Sequence, residues 1–215
     1  MTGQPDETTG GTRAARPPGR PRSQEADLAI LSAALDLLIE QGAAQTSIEQ
    51  VARRAGVTRA TVYRRFADKT ALLVRALEWA NHDNDPAFTG WRDLEHMFAD
   101  WAAYLAVPRH RRLLRRLYGS VDDYPELVAA YRVVNGGRRA AVVRELLCRT
   151  RDLGRLPGDV DVDAVQRMLT AAVLYEVGVQ PDRDDEAAIA ADFLAVMRLV
   201  GYDISDDQIT FHRAK

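Results

Sequence analysis

A chain of 215 residues, 47% apolar and 28% charged, is long enough for one or two domains around a sizeable core. A formal net charge of −2 excludes a protein that coats nucleic acid indiscriminately, and the single cysteine, Cys148, excludes an intrachain disulfide. No apolar run reaches the length of a membrane span and the first residues lack the apolar core of a signal peptide, so a cytoplasmic protein with no membrane partner is expected.

Charge is unevenly placed. Residues 176–215 carry 4 basic and 9 acidic side chains, whereas residues 53–75 carry seven basic and one acidic. A local basic patch on a chain of low total charge fits reversible binding to one kind of nucleic-acid site. Strand signals are scarce and helical periodicity recurs, so the expected fold is all-α.

Residues 1–22 are polar and rich in Gly, Pro, Thr and Arg, a composition that reads as a disordered basic arm. Its end, Arg16 to Arg22, is kept extended by proline, and Arg20 and Arg22 are spaced to enter a narrow minor groove. The other reading of the arm is a solvated tail. A first helix follows, capped by Ser23 and ending near Gln41-Gly42, with Ile30, Ala33, Ala34, Leu37 and Leu38 inward.

Residues 46–70 organise the rest. Thr46 and Ser47 both suit an N-cap, and each has an amide or acid three places on, Glu49 and Gln50. Ile48, Val51, Ala52 and Ala55 form one apolar face, and Gly56 ends the helix. Thr58 caps a second helix running to about Ala67, held by the inward pair Val62 and Phe66. Its outer face offers Arg59, Ala60, Thr61, Tyr63, Arg64 and Arg65. Such a helix suits the major groove, where Arg can reach guanine bidentately and Thr and Ala methyls can meet thymine. This is the helix-turn-helix pattern. Arg59, Thr61 and Arg64 are the candidate base readers; Thr58, Tyr63, Arg65 and Lys69 are the candidate phosphate contacts, with Thr46, Ser47 and Ala60 beside them. About 3–4 phosphate contacts per subunit predict a log K against log salt slope of about −5 to −7.

The string from Ser47 to Leu73 closely resembles the DNA-binding domain of the TetR family of bacterial transcriptional regulators. The Gly56-Val57-Thr58 turn, the Tyr63-Arg64-Arg65-Phe66 end and Lys69 carry the resemblance. It implies an N-terminal three-helix helix-turn-helix domain followed by a helical ligand-binding and dimerisation domain, about nine helices in all. The expected divisions are the arm (1–22), the DNA-binding domain with its connecting helix (23–80) and the C-terminal domain (81–215). Asp68 caps the connecting helix, and residues 81–90 form a loop.

Beyond the loop, breaks at Pro108, Gly119, Pro125, Gly154 to Gly158 and Pro181 set off helices at about 91–106, 109–118, 125–151, 162–179 and 185–201. Asn135-Gly136-Gly137 is a place where the long one can kink or split. Trp91, Met97, Phe98, Trp101, Tyr104, Leu114, Leu117, Tyr118 and Tyr131 read as plain core or as a pocket wall. The candidate pocket set, implied by the resemblance, is Met97, Trp101, Tyr104, Leu117, Tyr118 and Tyr131, with Met168 and Tyr175. Arg109, Arg111, Arg112, Arg115 and Arg116 read as a solvated face, or else as a collar near DNA or an anion site. Small residues line the last two helices, and Ala171, Gly178, Ala187, Ala191, Leu194 and Arg198 are the candidate interface of a homodimer. Asp182 to Glu186 read as acids at a helix N-terminus rather than a metal site.

No Ser/His/acid or Cys/His constellation is present, the four histidines lack metal-ligand spacing, and there is no phosphate loop. No metal, cofactor or catalytic residue is assigned. The expected function is a sequence-specific transcriptional regulator, a repressor released from a palindromic double-stranded operator by an unknown small-molecule effector. The alternative is a DNA-binding regulator or activator with no small-molecule ligand; a helical enzyme with an appended DNA-binding domain is a more distant rival.

Overall fold

The computed structural model describes residues 21–83, 90–133 and 137–203, and these residues form ten helices and no strand. The N-terminal domain is α1 (Pro21–Gln41), α2 (Ile48–Arg54), α3 (Arg59–Tyr63) and α4 (Lys69–Asp83). The C-terminal domain is α5 (Leu94–Ala106), α6 (Pro108–Tyr118), α7 (Pro125–Tyr131), α8 (Gly137–Asp152), α9 (Val162–Gly178) and α10 (Glu186–Leu199). The fold is all-α, as expected, but the helix predicted over 125–151 is two, α7 and α8. Gly137, the last residue of the stretch where a kink or split was expected, opens α8; Asn135 and Gly136 lie outside the described residues. α1 starts at Pro21, two residues before Ser23, because a first-turn proline sacrifices no intrahelical bond. The arm residues 1–20, Arg20 included, and the side chain of Arg22 lie outside the described residues.

α1 packs against α4, α2 and α6 and buries Ile30, Ala33, Ala34, Leu37 and Leu38. At the start of α2, Ser47 is the cap. Its hydroxyl accepts from Gln50 N at 3.3 Å, and Gln50 Oε1 accepts from Ser47 N at 2.8 Å. The helix ends in a Schellman turn. Gly56, at φ +67°, donates to Arg53 O (3.3 Å), and Val57 donates to Ala52 O (3.0 Å). A side chain at that φ would be strained, which is why glycine is needed here. Thr58 then caps α3 through Thr61 N at 3.2 Å. α3 stops at Tyr63, short of Ala67, although Phe66 N still bonds Val62 O at 3.0 Å. Val62 is wholly buried and Phe66 packs on the same core.

Two apolar cores result, and α6 belongs to both. Leu114 joins the C-terminal core of α5, α8, α9 and α10, whereas Leu117, with Leu127 of α7, joins the core of α1 to α4. The arginines of α6 follow the same division, which corrects the expectation of a solvated run. Arg109 pairs with Asp36 at 2.6 Å, and Arg116 donates to Glu40 O at 3.0 Å, both on α1. On the other side, Arg111 is 0% exposed. It donates to Glu176 Oε1 (2.6 Å), Glu176 O (2.7 Å) and Pro181 O (3.1 Å), and Arg115 donates to Val177 O (2.6 Å). A buried guanidinium costs several kcal/mol unless paired and hydrogen-bonded, and these partners supply both. Arg112 is exposed, as a solvated residue should be. α6 is therefore a beam bolted to the N-terminal domain at one side and to the end of α9 at the other.

Candidate nucleic-acid interface and inner cavity

The sequence of α3 commits one side inward through Val62 and leaves Arg59, Ala60, Tyr63 and Arg64 exposed, with Thr61 half-buried. Arg59 pairs with Glu49 of α2 at 2.6 Å, with both side chains about half in solvent. A screened surface pair of this kind is worth little, so Arg59 can turn outward at small cost. Arg64, the C-cap residue, is exposed and forms no ion pair with a described residue. The Thr58 and Thr61 hydroxyls are 2.9 Å apart, which fixes the first turn of the helix.

Three of the predicted contacts are placed differently. Thr46 is 2% exposed and donates to Gly42 O at 2.8 Å, so it closes the α1–α2 turn rather than facing outward. Arg65 folds back on α1, pairing with Asp27, while its Nη1 donates to Thr61 O at 3.0 Å. Lys69 Nζ donates to Ala43 O (2.9 Å), Ala44 O (3.4 Å) and the Tyr124 hydroxyl (3.1 Å). An ammonium has three hydrogens, and here each has an intramolecular acceptor. Ser47, at the α2 N-terminus, stays half-exposed.

The C-terminal domain holds a half-open cavity of about 330 Å³ between α5, α6, α7, α8 and α9. Trp101, Tyr104, Tyr118 and Tyr131, four of the eight residues expected in a pocket, line it. The other four do not. Met97 is wholly buried in the C-terminal core and Leu117 in the N-terminal one. Met168 and Tyr175 instead line a separate hollow between α9 and α10, with Ala171, Glu176 and Phe193. Met97 was misplaced because helical spacing shows which residues turn inward but not which inward residues leave a void.

Sequence reasoning also missed cavity residues: Arg132, Arg139, Val143, Gln166, Thr170 and Leu174, with Leu105, Ala140 and Val173 between them. They come from α5 (Leu105), α8, α9 and the exit of α7, and no local pattern groups them. Trp91 and Trp101 cross edge to face, with centroids 6.4 Å apart and planes at 79°, and Tyr118 and Tyr131 do the same at 6.4 Å and 83°. Burial pushes the phenols of Tyr104, Tyr118 and Tyr131 up from the ordinary tyrosine value, with Arg139 and Arg132 opposing the shift. All three stay protonated near neutrality and remain able to donate.

Known proteins share this arrangement. Residues 30–76 match the family model for bacterial regulatory proteins of the tetR family, and residues 89–195 match the model for the tetracyclin repressor-like C-terminal domain. The chain belongs to the TetR family. It is 25% identical over 174 residues to YdeS, an uncharacterized HTH-type transcriptional regulator of Bacillus subtilis, covering 80% of this chain and 87% of that one. It is 27% identical over 177 residues to the HTH-type transcriptional regulator SrpR of Pseudomonas putida, covering 78% and 81%. The fold superposes with a TM-score of 0.60 on NalD, the secondary repressor of the MexAB-OprM multidrug efflux pump of Pseudomonas aeruginosa. That match spans 85% of this chain and 100% of NalD at 24% identity. As a TetR-family protein the chain is a DNA-binding helix-turn-helix transcriptional regulator. Among the described residues, no helix is long and apolar enough to cross a membrane.

Proposed function

We propose that this TetR-family regulator is a homodimeric repressor that holds a palindromic operator through α3 and releases it when a small molecule fills the inner cavity. The observation that carries the proposal is the double membership of α6 and α7. Tyr118 and Tyr131 wall the cavity, while Leu117 and Leu127 on the same helices sit in the core of the N-terminal domain. A ligand that prefers one placement of α6 and α7 thereby prefers one placement of the reading head. It shifts the equilibrium by its differential affinity for the two placements and by nothing else.

In this proposal Arg59, Thr61 and Arg64 reach base edges with the Ala60 methyl between them, and Ser47, Thr58 and Tyr63 hold phosphates. Arg20 and Arg22 keep the minor-groove role proposed for the arm. The dimer forms through α9 and α10. Ala171, Leu174, Tyr175 and Gly178 share one helical face, and Ala187, Ala191, Leu194 and Arg198 share another; all are exposed except Leu194, which is half-buried. Two copies would close these faces in a four-helix bundle, setting the two α3 helices about 34–36 Å apart, one turn of DNA.

The test is fluorescence anisotropy of labelled intergenic DNA from upstream of the coding sequence, titrated with the purified full chain, with and without a metabolite panel. Saturable binding at low salt that at least one compound reverses is expected. Absence of binding to any such DNA would refute the proposal.

A further inference from the structure

We infer that Glu49 is a specificity-determining residue: its carboxylate keeps Arg59 from phosphates, so that Arg59 leaves it for a guanine edge but not for the backbone of unrelated DNA. This rests on the proposal that α3 reads the operator, and it adds a residue of α2 that the reading helix uses to discriminate. Glu49 Oε1 lies 2.6 Å from Arg59 Nη2, across the turn between the two helices. An acid on the proposed reading face works against affinity for DNA in general. Of the five arginines between positions 53 and 65, Arg54 and Arg65 also have acidic partners, but those are Glu40 and Asp27, on α1. The Glu49–Arg59 pair joins α2 to α3 directly. Arg64 forms no ion pair with a described residue, so α3 carries one masked cation and one free one.

The carboxylate does not depend on Arg59 for its place. Its pKa lies below the ordinary value of 4.5, held there first by a hydrogen bond from its own backbone N–H, against desolvation, with the Ser47 hydroxyl and the Arg59 charge adding to it. The backbone and Ser47 contacts lie in the opening of α2 and remain when Arg59 swings away. Ser47 is also a proposed phosphate contact, so the acid stands beside the path of the DNA backbone.

When Arg59 leaves, it bares that acid to the DNA. A bidentate contact to guanine O6 and N7 replaces the lost partner with two directed hydrogen bonds. A phosphate oxygen offers only a screened contact, and it brings like charge towards the bared carboxylate. The exchange favours the cognate base and penalises the backbone, which is discrimination by cost to the wrong partner. Because an exposed pair breaks at small cost in water, the step onto the right base stays open.

The test is Glu49→Gln in the full chain, titrated by fluorescence anisotropy with the upstream duplex and with a duplex of the same composition in scrambled order. Affinity for the scrambled duplex is expected to rise about threefold to tenfold, and its slope of log K against log salt to steepen by about 2 for a dimer. Operator affinity should change less, so the ratio of the two falls. In an Arg59→Gln background the same substitution should leave the scrambled-duplex slope unchanged, which separates release of Arg59 from a general charge effect. Should Glu49→Gln fail to fold, Arg59→Gln alone decides: it is expected to lower operator affinity and to leave the scrambled-duplex slope as it was. An equal rise on both duplexes with no change in slope would overturn the inference, as would a scrambled-duplex slope made shallower by Arg59→Gln. A native chain with no preference for the upstream duplex overturns the operator proposal with it. A preference that survives Glu49→Gln undiminished overturns this inference alone.

Discussion

Lys69 Nζ lies 3.1 Å from the Tyr124 hydroxyl and 5.1 Å from the centroid of its ring. Lys69 opens α4, and Tyr124 precedes α7, whose last residue, Tyr131, lines the cavity. The same ammonium holds Ala43 O and Ala44 O in the turn before α2. One side chain thus joins the reading head to the helix that borders the cavity. With its three hydrogens used, it serves as a strut within the chain. Lys69→Met is expected to lower folding stability by about 1–3 kcal/mol and to leave the slope of log K against log salt unchanged. Chemical denaturation and a salt series on operator binding check both. A slope shallower by about one or more would return Lys69 to the phosphates.

The salt dependence itself should be gentler than the motif implies. With Arg65 held by Asp27 and Lys69 by carbonyls, Arg59 and Arg64 are the exposed cations of the reading helix. Even if both also neutralise a phosphate beside the bases they read, two cations per subunit give a dimer slope no steeper than about −4, and removal of residues 1–20 isolates that value from the arm. Arg64→Ala is expected to cost about 1–3 kcal/mol of operator affinity and to relax discrimination at one base position per half-site. A loss of equal size on every sequence would place Arg64 on a phosphate instead.

The buried charge at the joint is the second strut. Burial alone would raise the Glu176 carboxyl, but hydrogen bonds from Arg183 and Arg111 outweigh it and hold the group below its ordinary value of 4.5. Glu176→Gln removes the carboxylate that two guanidiniums share and leaves Arg111 with Asp182 and Arg183 with Asp192, and is expected to destabilise by about 1–3 kcal/mol. Because the folded-state value is depressed, the carboxylate's contribution is fully present above pH 4.5 and fades as pH falls through the folded value. The stability gap between the native chain and Glu176→Gln should therefore be flat from neutrality to about pH 5 and shrink below it. A gap that does not change on acidification would remove the ion pair from the account.

The α9–α10 face bears on assembly. Tyr175 is 55% exposed and Leu199 84% exposed in the single chain. Tyr175→Glu would place a charge in the proposed bundle, so sedimentation should report monomers where the native chain sediments as dimers. Operator affinity should collapse with it, since each half-site then binds alone. A native chain that sediments as a monomer at micromolar concentration contradicts the proposed dimer.

The helical triangle was legible because its signals are local. The spacing of Ile48, Val51 and Ala52, the box at Ser47 and Gln50, and Gly56 each act within a few residues, and all are used as read. What was not legible depends on distant partners. Thr46 and Ser47 share the same capping spacing, and only the bond from Thr46 to Gly42 O removes Thr46 from the surface. Arg65 and Lys69 occupy motif positions, yet their partners Asp27 and Tyr124 lie 38 and 55 residues away. The α6 arginines looked alike in sequence, and their fates diverge because α6 touches two domains at once. The aromatic cavity residues were visible as a group, but the cations Arg132 and Arg139 were not, because the cavity draws on separate helices.

The most direct measurement of the central claim is a hydroxyl-radical footprint of the full chain on its upstream DNA, repeated with Arg64→Ala. The account predicts two protected patches on one face of the duplex, centred about one helical turn apart, which fade with the substitution at fixed protein concentration. Protection without that spacing, or a footprint indifferent to Arg64→Ala, would contradict α3 as the reader of the operator.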